Sequence, residues 1–303
     1  MAMNRAQFKK QLQDGLKTVA GIELQAIKEV WKGYVSYETE SRKAYVEELM
    51  TVGLGGAQVK AEGAGVTYDS TSDSYVSRYF FDTLALAFRI TEEAEEDGLY
   101  GSIGKRLARS MARGYKHTVA TRVANMLNNG FTGGVYQGGD GVALFSASHP
   151  TRNGNQSNLL TNAADLSETS VEDMSTQVMN MTDDRGIPMD LEMQALVIPT
   201  ALKFVAHRLL NTTLRVETPN NDTNALKDLG IFPKGMIVDK RLTDTDAWFA
   251  TTDCPDGLKF IERKKPVTKL EGDFETGDMR FKIRGRSIQG WTNWRGCVGT
   301  AGG

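Results

Sequence analysis

The most regular segment of the chain is SIGKRLARSMARGYKHTVATRVANMLN, residues 102–128. Its large apolar residues recur at every fourth position, which is the spacing of one face of an α-helix. They are Ile103, Leu107, Met111, Tyr115, Val119 and Val123. Ser102 is a suitable N-cap and Gly130 a suitable stop. The segment predicts an amphipathic helix ~40 Å long, at 1.5 Å per residue, which suits a structural spine.

The preceding segment is GLGGAQVKAEGAGVTYDSTSDSYVSRYFFDTLALAFRIT, residues 53–91. Five glycines rule out a helix in its first half, and residues 84–90 alternate between large apolar and other side chains, as in a strand. With residues 45–52, which suit either a strand or a short helix, we expect a long two-stranded excursion. Its first limb is rich in glycine and its polar tip falls at residues 69–74. Because an isolated hairpin is marginally stable in water, this excursion indicates a partner surface.

The first segment, residues 4–32, has apolar residues at roughly helical spacing, and Asn4 is a suitable cap. Gly15 and Gly21 each cost roughly 1 kcal/mol inside a helix. We therefore predict a broken helix or two short ones. The segment is either an arm lying on neighbouring subunits or the first helix of the core.

The rest of the chain mixes helices and strands without a βαβ rhythm. Helices are predicted at residues 167–185 and 200–210, and strands at 191–198, 236–238, 247–250, 258–262 and 279–288. This mixture indicates an α+β fold.

Composition places the chain among ordinary globular proteins, with 40% hydrophobic and 24% charged residues. The 36 Lys and Arg against 38 Asp and Glu give a net charge of -2, which lacks the basic excess of most tight nucleic-acid binders. No signal peptide and no run of ~20 apolar residues is present, so we expect a soluble protein made in the cytoplasm. Cys254 and Cys297 are expected to be free thiols, with a disulfide or a bridge between subunits as the alternative.

A search for catalytic chemistry finds little. No phosphate-binding loop is present, and neither His117 nor His207 has a second metal ligand at helical spacing, so no metal or cofactor is expected. Ser146 or Ser148 with His149 and Asp140 would supply a hydrolase triad. The GxSxG nucleophile elbow is absent, and neighbours in sequence rarely orient one another as a triad requires. A hydrogen-bonded loop residue is the simpler interpretation of His149.

Two charged segments are candidates for contacts between surfaces. Residues 91–97 contain Glu92, Glu93, Glu95, Glu96 and Asp97. The strand at 279–288 presents Arg280, Lys282, Arg284 and Arg286 on one side. The acidic segment is either a solvated helix start or a charge-complementary contact. The basic strand is either a nucleic-acid face or a set of ion pairs, within the subunit or to a neighbour, for which the acidic segment is one candidate partner; we favour ion pairs.

The order of the predicted parts resembles the major capsid proteins of tailed phages, which have the Hong Kong 97-type fold: an N-terminal arm, an extended hairpin loop, a long spine helix, and then a peripheral and an axial domain. Four short motifs are similar to one family among them, the Mu-like prophage major head proteins. They are ALFSASHPT (143–151), ALVIPTALKFVAHRLLN (195–211), AWFATTD (247–253) and GWTNWRG (290–296). The resemblance spans nearly the whole chain.

The resemblance implies a domain plan. Residues 1–44 would be an N-terminal arm bracing other subunits, and residues 50–82 an extended β-hairpin loop lying over an adjacent subunit. Residues 83–188 and 261–289 would form a peripheral domain containing the spine helix, and residues 189–260 and 290–303 an axial domain. The loop residues expected to take part in assembly are Gly63, Tyr68, Asp69, Tyr75 and Arg78.

The resemblance also implies a function. The chain would be a non-enzymatic virion protein that self-assembles in the host cytoplasm into an icosahedral shell of pentamers and hexamers. The shell would enclose double-stranded DNA without sequence-specific binding and expand as a separate motor packages the DNA. Scaffold, portal and maturation protease would be separate proteins, and no membrane is involved. The alternatives are the hydrolase and another virion component such as a tail tube subunit, whose fold would be mostly β.

Overall fold

A computed structural model describes residues 5–40, 42–91, 93, 100–134, 136–214, 223–273 and 275–303. The α-helices are α1 (Arg5–Ala26), α2 (Tyr100–Asn128), α3 (Glu168–Met179), α4 (Lys203–Asn211) and α5 (Ala225–Asp228). Short 3-10 helices lie at Val30–Gly33 and Trp294–Gly296. The strands are β1 (Ser36–Thr39), β2 (Tyr45–Val52), β3 (Ser72–Phe80), β4 (Asp82–Ile90), β5 (His149–Thr151), β6 (Gly154–Gln156), β7 (Met193–Ile198), β8 (Met236–Val238), β9 (Trp248–Thr252), β10 (Leu258–Gly272), β11 (Met279–Trp291) and β12 (Cys297–Thr300).

Helix α2 is the predicted spine and matches the expected segment closely. Met111, Tyr115, Val119 and Val123 of its apolar stripe are buried, Leu107 is half-buried, and Ile103 near the start is exposed. Ser102 is not the N-cap, because the helix is already formed at Tyr100. Gly130 follows the end of α2, where a Cβ atom would lie 2.6 Å from the Phe145 ring. The absence of a side chain at this stop therefore lets Phe145 pack against the end of α2.

Helix α2 lies on a four-stranded sheet whose strand order is β1-β10-β11-β4. Strand β1 is parallel to β10, while the β10–β11 and β11–β4 pairs are antiparallel. The predicted alternation on β11 is confirmed, since Met279, Phe281 and Ile283 are buried and Arg280, Lys282 and Arg284 are exposed. Strand β10 continues well beyond the predicted residues 258–262. The two long strands form a basic hairpin whose apolar face meets the spine.

A second four-stranded sheet, of order β12-β9-β7-β8, carries helices α4 and α5. Strand β8 coincides with its predicted bounds. The core beside this sheet contains the stacked rings of Phe145 and Phe249, with centroids 5.1 Å apart. Both sheets contribute to one large apolar cluster. Burial of that cluster, at roughly 25 cal/mol per Å² of apolar area, is the main stabilising term of the fold.

The prediction of a broken N-terminal helix is wrong, because α1 runs without interruption from Arg5 to Ala26. Asn4, its predicted cap, lies outside the described residues. Leu16 and Ala20 are buried, and Leu16 lies close to Gly104 on α2. The ion pairs Glu23–Arg113 and Glu29–Lys116, both 2.6 Å, add to this contact. Packing on α2 therefore outweighs the intrinsic cost of Gly15 and Gly21.

The excursion at residues 45–80 is a hairpin of β2 and β3, antiparallel, with Tyr45 opposite Phe80 and Val52 opposite Ser72. The predicted tip at residues 69–74 is misplaced. Residues 72–74 already belong to β3, and the irregular connection spans residues 53–71. The error arose because serine and aspartate favour turns, whereas here they pair with β2 at an edge.

Other bounds differ locally. Helix α3 was predicted to begin at Ser167, which is its N-cap in the structure, and it ends at Met179 rather than at residue 185. The chain then forms a turn around Gly186, whose φ of 86° suits glycine. Among the described residues, no helix has the length and apolar character that spanning a membrane requires.

Candidate assembly surfaces

The outer face of the β2–β3 hairpin is apolar and exposed. The Tyr45 and Phe80 rings lie 5.9 Å apart, and Leu49 is opposite Val76. All four side chains are at least 43% exposed. An ion pair of 2.5 Å between Glu47 and Arg78 separates the two apolar pairs. Two exposed apolar pairs this close together are typical of an interaction surface.

The base of the hairpin is fixed by Lys259, which is 4% exposed. Its Nζ lies 2.6 Å from Asp256, 2.8 Å from Glu48 on β2 and 3.4 Å from Glu38 on β1. Burial by itself lowers the pKa of Lys259, but the hydrogen bonds to Asp256 and Glu48 raise it further than burial lowers it. The ammonium group is thus held charged where three strands meet.

A chain of hydroxyl groups extends this attachment. Thr292 Oγ1 donates a hydrogen bond to Glu48, and the Tyr79 hydroxyl lies 2.5 Å from Thr292 Oγ1. Since Thr292 donates to Glu48, Tyr79 is the donor to Thr292. Burial raises the pKa of Tyr79 to about 12. Both strands of the hairpin are therefore joined to the body through buried polar groups.

A second attachment holds the irregular connection. Arg185 Nη1 donates to Asp69 Oδ2 at 2.6 Å, and Arg185 Nη2 donates to the carbonyl of Ser70. The backbone N–H of Gly55, on the other limb, donates to the same Asp69 oxygen at 2.7 Å. Backbone hydrogen bonds from Gly55 and Ser70, together with Arg185, hold the pKa of Asp69 below its usual value. Both limbs of the connection are thus bound to the turn that follows α3.

The predicted loop residues fall into two groups. Asp69, Tyr75 and Arg78 make contacts within the subunit: Tyr75 donates to the Pro150 carbonyl at 2.6 Å, and Arg78 pairs with Glu47. Gly63, with φ of 79°, and Tyr68, which is 94% exposed, lie in the projecting part of the connection. The second group is exposed without such contacts, whereas Arg78 is exposed on the outer face but already paired with Glu47.

Between the two attachments lies an open polar cleft of about 520 Å³. Residues 48–51 and Gly53 line one side, and the opposite wall includes Asp183, Asp184 and Arg295. Arg295 is 1% exposed, pairs with Asp184 at 2.9 Å and lies 4.3 Å from the Trp294 ring. The acidic groups of the cleft are thus largely paired. Within the described ranges, no cluster of His, Cys, Asp and Glu has the geometry of a metal site.

The basic side chains predicted on β11 include Arg280, Lys282 and Arg284, which lie on the exposed face of the sheet, away from α2. Arg280 pairs with Asp273, and Lys282 lies 3.4 Å from Glu271, so acidic groups of the same hairpin neutralise part of the face. Lys269 lies directly opposite Lys282, an arrangement that destabilises a sheet unless counter-charges are near. Glu92, Glu95, Glu96 and Asp97 lie outside the described residues, while Glu93 is exposed. Their contact with this face stays a prediction.

The residues of the hydrolase alternative do not form a triad. His149 is fully buried; its Nδ1 lies 2.7 Å from Asp140, and its Nε2 lies 3.2 Å from Asn158 Oδ1. Its ring stacks on Trp294 with centroids 4.4 Å apart. Both ring nitrogens are engaged, so neither can take a proton from a serine.

The two candidate nucleophiles are engaged elsewhere as well. Ser146 Oγ accepts from the Ser148 N–H, and Ser148 Oγ accepts from Asn155. His149 is therefore the hydrogen-bonded structural residue of the simpler interpretation. Cys254 and Cys297 are free and buried, and burial raises the pKa of Cys254 to about 12, which keeps it a thiol.

Sequence reasoning missed Lys259 and Arg185, which attach the hairpin. Lys259 had a usable signal, because it interrupts an otherwise apolar run, Leu258 to Ile261, that is buried in the structure. A lysine inside such a run needs carboxylate partners. Arg185 had no such signal, since its partner is 116 residues away.

Comparison with known proteins finds a matching family and several solved structures with a similar architecture. A family model described as "Phage capsid protein" matches residues 74–299. The virus-like particle from Pyrococcus furiosus matches over 95% of this chain and 99% of its own, with a TM-score of 0.54 and 12% identity. The capsid of Myoviridae phage XM1 matches over 89% and 90%, with a TM-score of 0.56 and 11% identity.

The capsid of an empty GTA particle is also similar, with a TM-score of 0.56, 10% identity and coverage of 90% and 89%. No protein among those with curated descriptions matches. The Hong Kong 97-type α+β fold expected from the sequence is confirmed by these structural matches. With the family match extending over most of its length, the chain belongs to the phage capsid protein family.

Proposed function

We propose that this capsid protein assembles with copies of itself into a closed icosahedral shell of pentamers and hexamers that encloses double-stranded DNA. The observation that supports the proposal is the way in which the β2–β3 hairpin is attached to the body. Its base is fixed by Lys259 and its limbs by Arg185, yet residues 56–68 project with their side chains exposed. A segment held in place by a rigid body but covered by nothing is suited to contact a neighbour.

The domain plan follows the same proposal. Residues 50–82 are the extended loop that lies over an adjacent subunit, and residues 1–44 are the arm. Residues 83–188 and 261–289 form the peripheral domain, and residues 189–260 and 290–303 the axial domain. The acidic segment 91–97 contacts the basic face of β11 in a charge-complementary manner.

We place the chain nearest the Mu-like prophage major head proteins. Scaffold, portal and maturation protease are separate proteins, and the subunit itself has no catalytic activity. Assembly takes place in the bacterial cytoplasm, and the subunit ends in the virion. The support for a non-enzymatic role is that His149 has no free nitrogen and neither candidate serine is near enough to bond to it.

The experiment is sizing of the untagged protein by light scattering, followed by negative-stain electron microscopy. Uniform closed particles, or rings of five or six subunits, are expected. Species no larger than a dimer, both alone and with a co-expressed scaffold protein, would contradict the proposal.

The loop assignment has its own test. The Gly55–Asp69 hydrogen bond brings the ends of residues 57–68 together, so a two-residue linker can replace this segment without disturbing either attachment. A second variant replaces the same residues with a Gly-Ser segment of equal length. Both variants should fold with an unchanged circular dichroism spectrum and fail to form particles. Normal particles from the shortened variant would refute the assignment of the loop.

A further inference from the structure

The outer edge of β4 is open. This strand is the last in its sheet and pairs with β11 on one side only, within the part of the chain that the structure describes. Its length of nine residues exceeds that of β1, β8 and β12, which form the other edges of the two four-stranded sheets. An open edge presents a row of unpaired N–H and C=O groups that can accept another strand.

This edge lacks the features with which soluble proteins protect their edges. Residues 83–88 read Thr-Leu-Ala-Leu-Ala-Phe, with no charge and no proline, and their register with β11 has no bulge. Leu86 is 44% exposed. Strand β2 differs in both respects, because it carries Glu47 and Glu48 and has a bulge between Leu49 and Thr51. An unprotected edge of this kind is expected to be covered in the functional assembly.

A matching segment exists in the extended loop. The chain turns at Gly63, where Ala64 N–H donates to the Ala61 carbonyl, and residues 65–68 then make no backbone hydrogen bond with any described residue. Residues 64–68 read Ala-Gly-Val-Thr-Tyr, which is uncharged, and Val, Thr and Tyr favour strands. Val66 is 68% exposed and Tyr68 is 94% exposed.

The segment cannot reach β4 of its own subunit. Strand β3 runs for nine residues from the loop towards Phe81, and β4 begins immediately afterwards. At 3.3 Å per residue, β3 alone separates the loop from the start of β4 by roughly 30 Å. Asp69 also binds the loop to Arg185. A strand on this edge must therefore come from another molecule.

We infer that residues 64–68 of one subunit add as a fifth strand to the β4 edge of a neighbouring copy. The inference rests on the proposed function and specifies where the loop lies on its neighbour. Period-two alternation places Val66 and Tyr68 on the side of Leu84, Leu86 and Phe88, where they cover the exposed Leu86. Gly65 and Thr67 then lie on the side of Ala85 and Ala87.

The geometry of this contact suits a capsomer. Donor and acceptor are different surfaces of one chain, so the contact is heterologous, and each copy both gives a strand and receives one. Repetition of a heterologous contact about an axis closes a ring. The rings of five and six subunits proposed above need a contact of this type.

Disulfide cross-linking of assembled particles tests the pairing. Residues opposite each other on paired strands have Cα atoms roughly 5 Å apart, which is compatible with a disulfide. Thr67→Cys combined with Ala85→Cys or Ala87→Cys should give a ladder of oligomers on a non-reducing gel after mild oxidation. Thr67→Cys with Leu86→Cys should not, because the two side chains lie on opposite faces. Val66→Cys with Leu86→Cys should cross-link.

The controls separate pairing from mere proximity. Native Cys254 and Cys297 are buried and give no background, and Thr67→Cys with Thr118→Cys, exposed on α2, should stay monomeric. If a cysteine variant does not assemble, hydrogen exchange measured on the unmodified protein tests the strand pairing instead. Amides of residues 65–68 and 83–88 should exchange about tenfold or more slowly in particles than in dissociated subunits.

The outcomes are distinct. The strand pairing is overturned if normal particles form, the cross-links do not alternate between the two faces of the strand, and the two segments are not both protected from exchange. The proposed shell function is then left intact. Protection of residues 83–88 without protection of residues 65–68 shows that another strand covers the edge, and also overturns the inference. Failure of the unmodified protein to form any particle counts against the proposed function itself.

Discussion

Arg185 and Asp69, separated by 116 positions in the sequence, are joined by a hydrogen-bonded ion pair of 2.6 Å. The pair ties the extended loop to the turn after α3. Gly55 contributes a backbone donor to the same carboxylate, and a Cβ atom at Gly55 would lie 3.1 Å from both partners. A side chain at this position would therefore require the ends of both partner side chains to shift by a few tenths of an ångström.

Replacing Arg185 with alanine should loosen the loop without unfolding the subunit. The ion pair is exposed to solvent, so the midpoint of thermal unfolding should change little. Hydrogen exchange in residues 53–71 should become faster, because the loop loses its second attachment. Arg152→Ala is the control and should leave exchange unchanged, because Arg152 is exposed and adjoins Asn153, which lies against Gly186 of the same turn. Equal exchange in all three proteins would show that the ion pair does not order the loop.

The Arg295–Asp184 pair should behave differently, because it is buried. Their side chains are 1% and 6% exposed, so Asp184→Ala leaves a buried guanidinium without its counter-charge. We expect a loss of about 3–5 kcal/mol in the free energy of unfolding, measured in urea. The exposed Arg78–Glu47 pair is the control, and Arg78→Ala should cost less than about 1 kcal/mol in the free energy of unfolding. Similar losses for the two variants would contradict this distinction between buried and exposed pairs.

Much of the fold could be predicted from periodicity. Helix α2 and strand β11 have long, regular apolar patterns, and both were predicted nearly to their ends. Such segments can be recognised in the sequence because one face of each packs against the core along most of its length. Helix α1 was predicted as broken because glycine propensity was weighed without knowledge of α2, which packs against Leu16 and Ala20.

The contacts that attach the loop could not be predicted in this way. Arg185, Asp69 and Gly55 are brought together by the path of the chain, and none of them belongs to a repeating pattern. The misplaced tip has a related cause, since Ser72 and Asp73 have turn propensity but pair with β2 in the structure. Strand pairing between distant segments overrides local propensity.

Replacing His149 separates the structural role from the hydrolase alternative. His149→Ala leaves the Asp140 carboxylate, which is 2% exposed, with the Val142 N–H as a partner but without its side-chain partner, and removes a ring stacked on Trp294. We expect a loss of about 2–5 kcal/mol in the free energy of unfolding, because the variant leaves a cavity in place of the ring and removes its hydrogen bonds. Ser146→Ala and Ser148→Ala should each cost less than about 1.5 kcal/mol, the usual range for one hydrogen bond. Loss of an ester-hydrolysing activity in the serine variants, with stability unchanged, would restore the hydrolase alternative.

The contact of the N-terminal segment with the spine should weaken in acid. Burial raises the pKa of Glu29, but hydrogen bonds from Lys116 and Lys32 lower it more, so its net pKa is below the usual value. A carboxylate of this kind stabilises the folded state above its unfolded pKa of about 4.3. That stabilisation is lost as the pH falls through the folded pKa. Stability measured in urea from about pH 6 to about pH 3 should therefore fall less steeply in Glu29→Gln than in the unmodified protein. Glu172→Gln, an exposed position on α3, is the control and should keep the original slope. The same slope in Glu29→Gln and in the control would show that Glu29 does not contribute to the acid sensitivity.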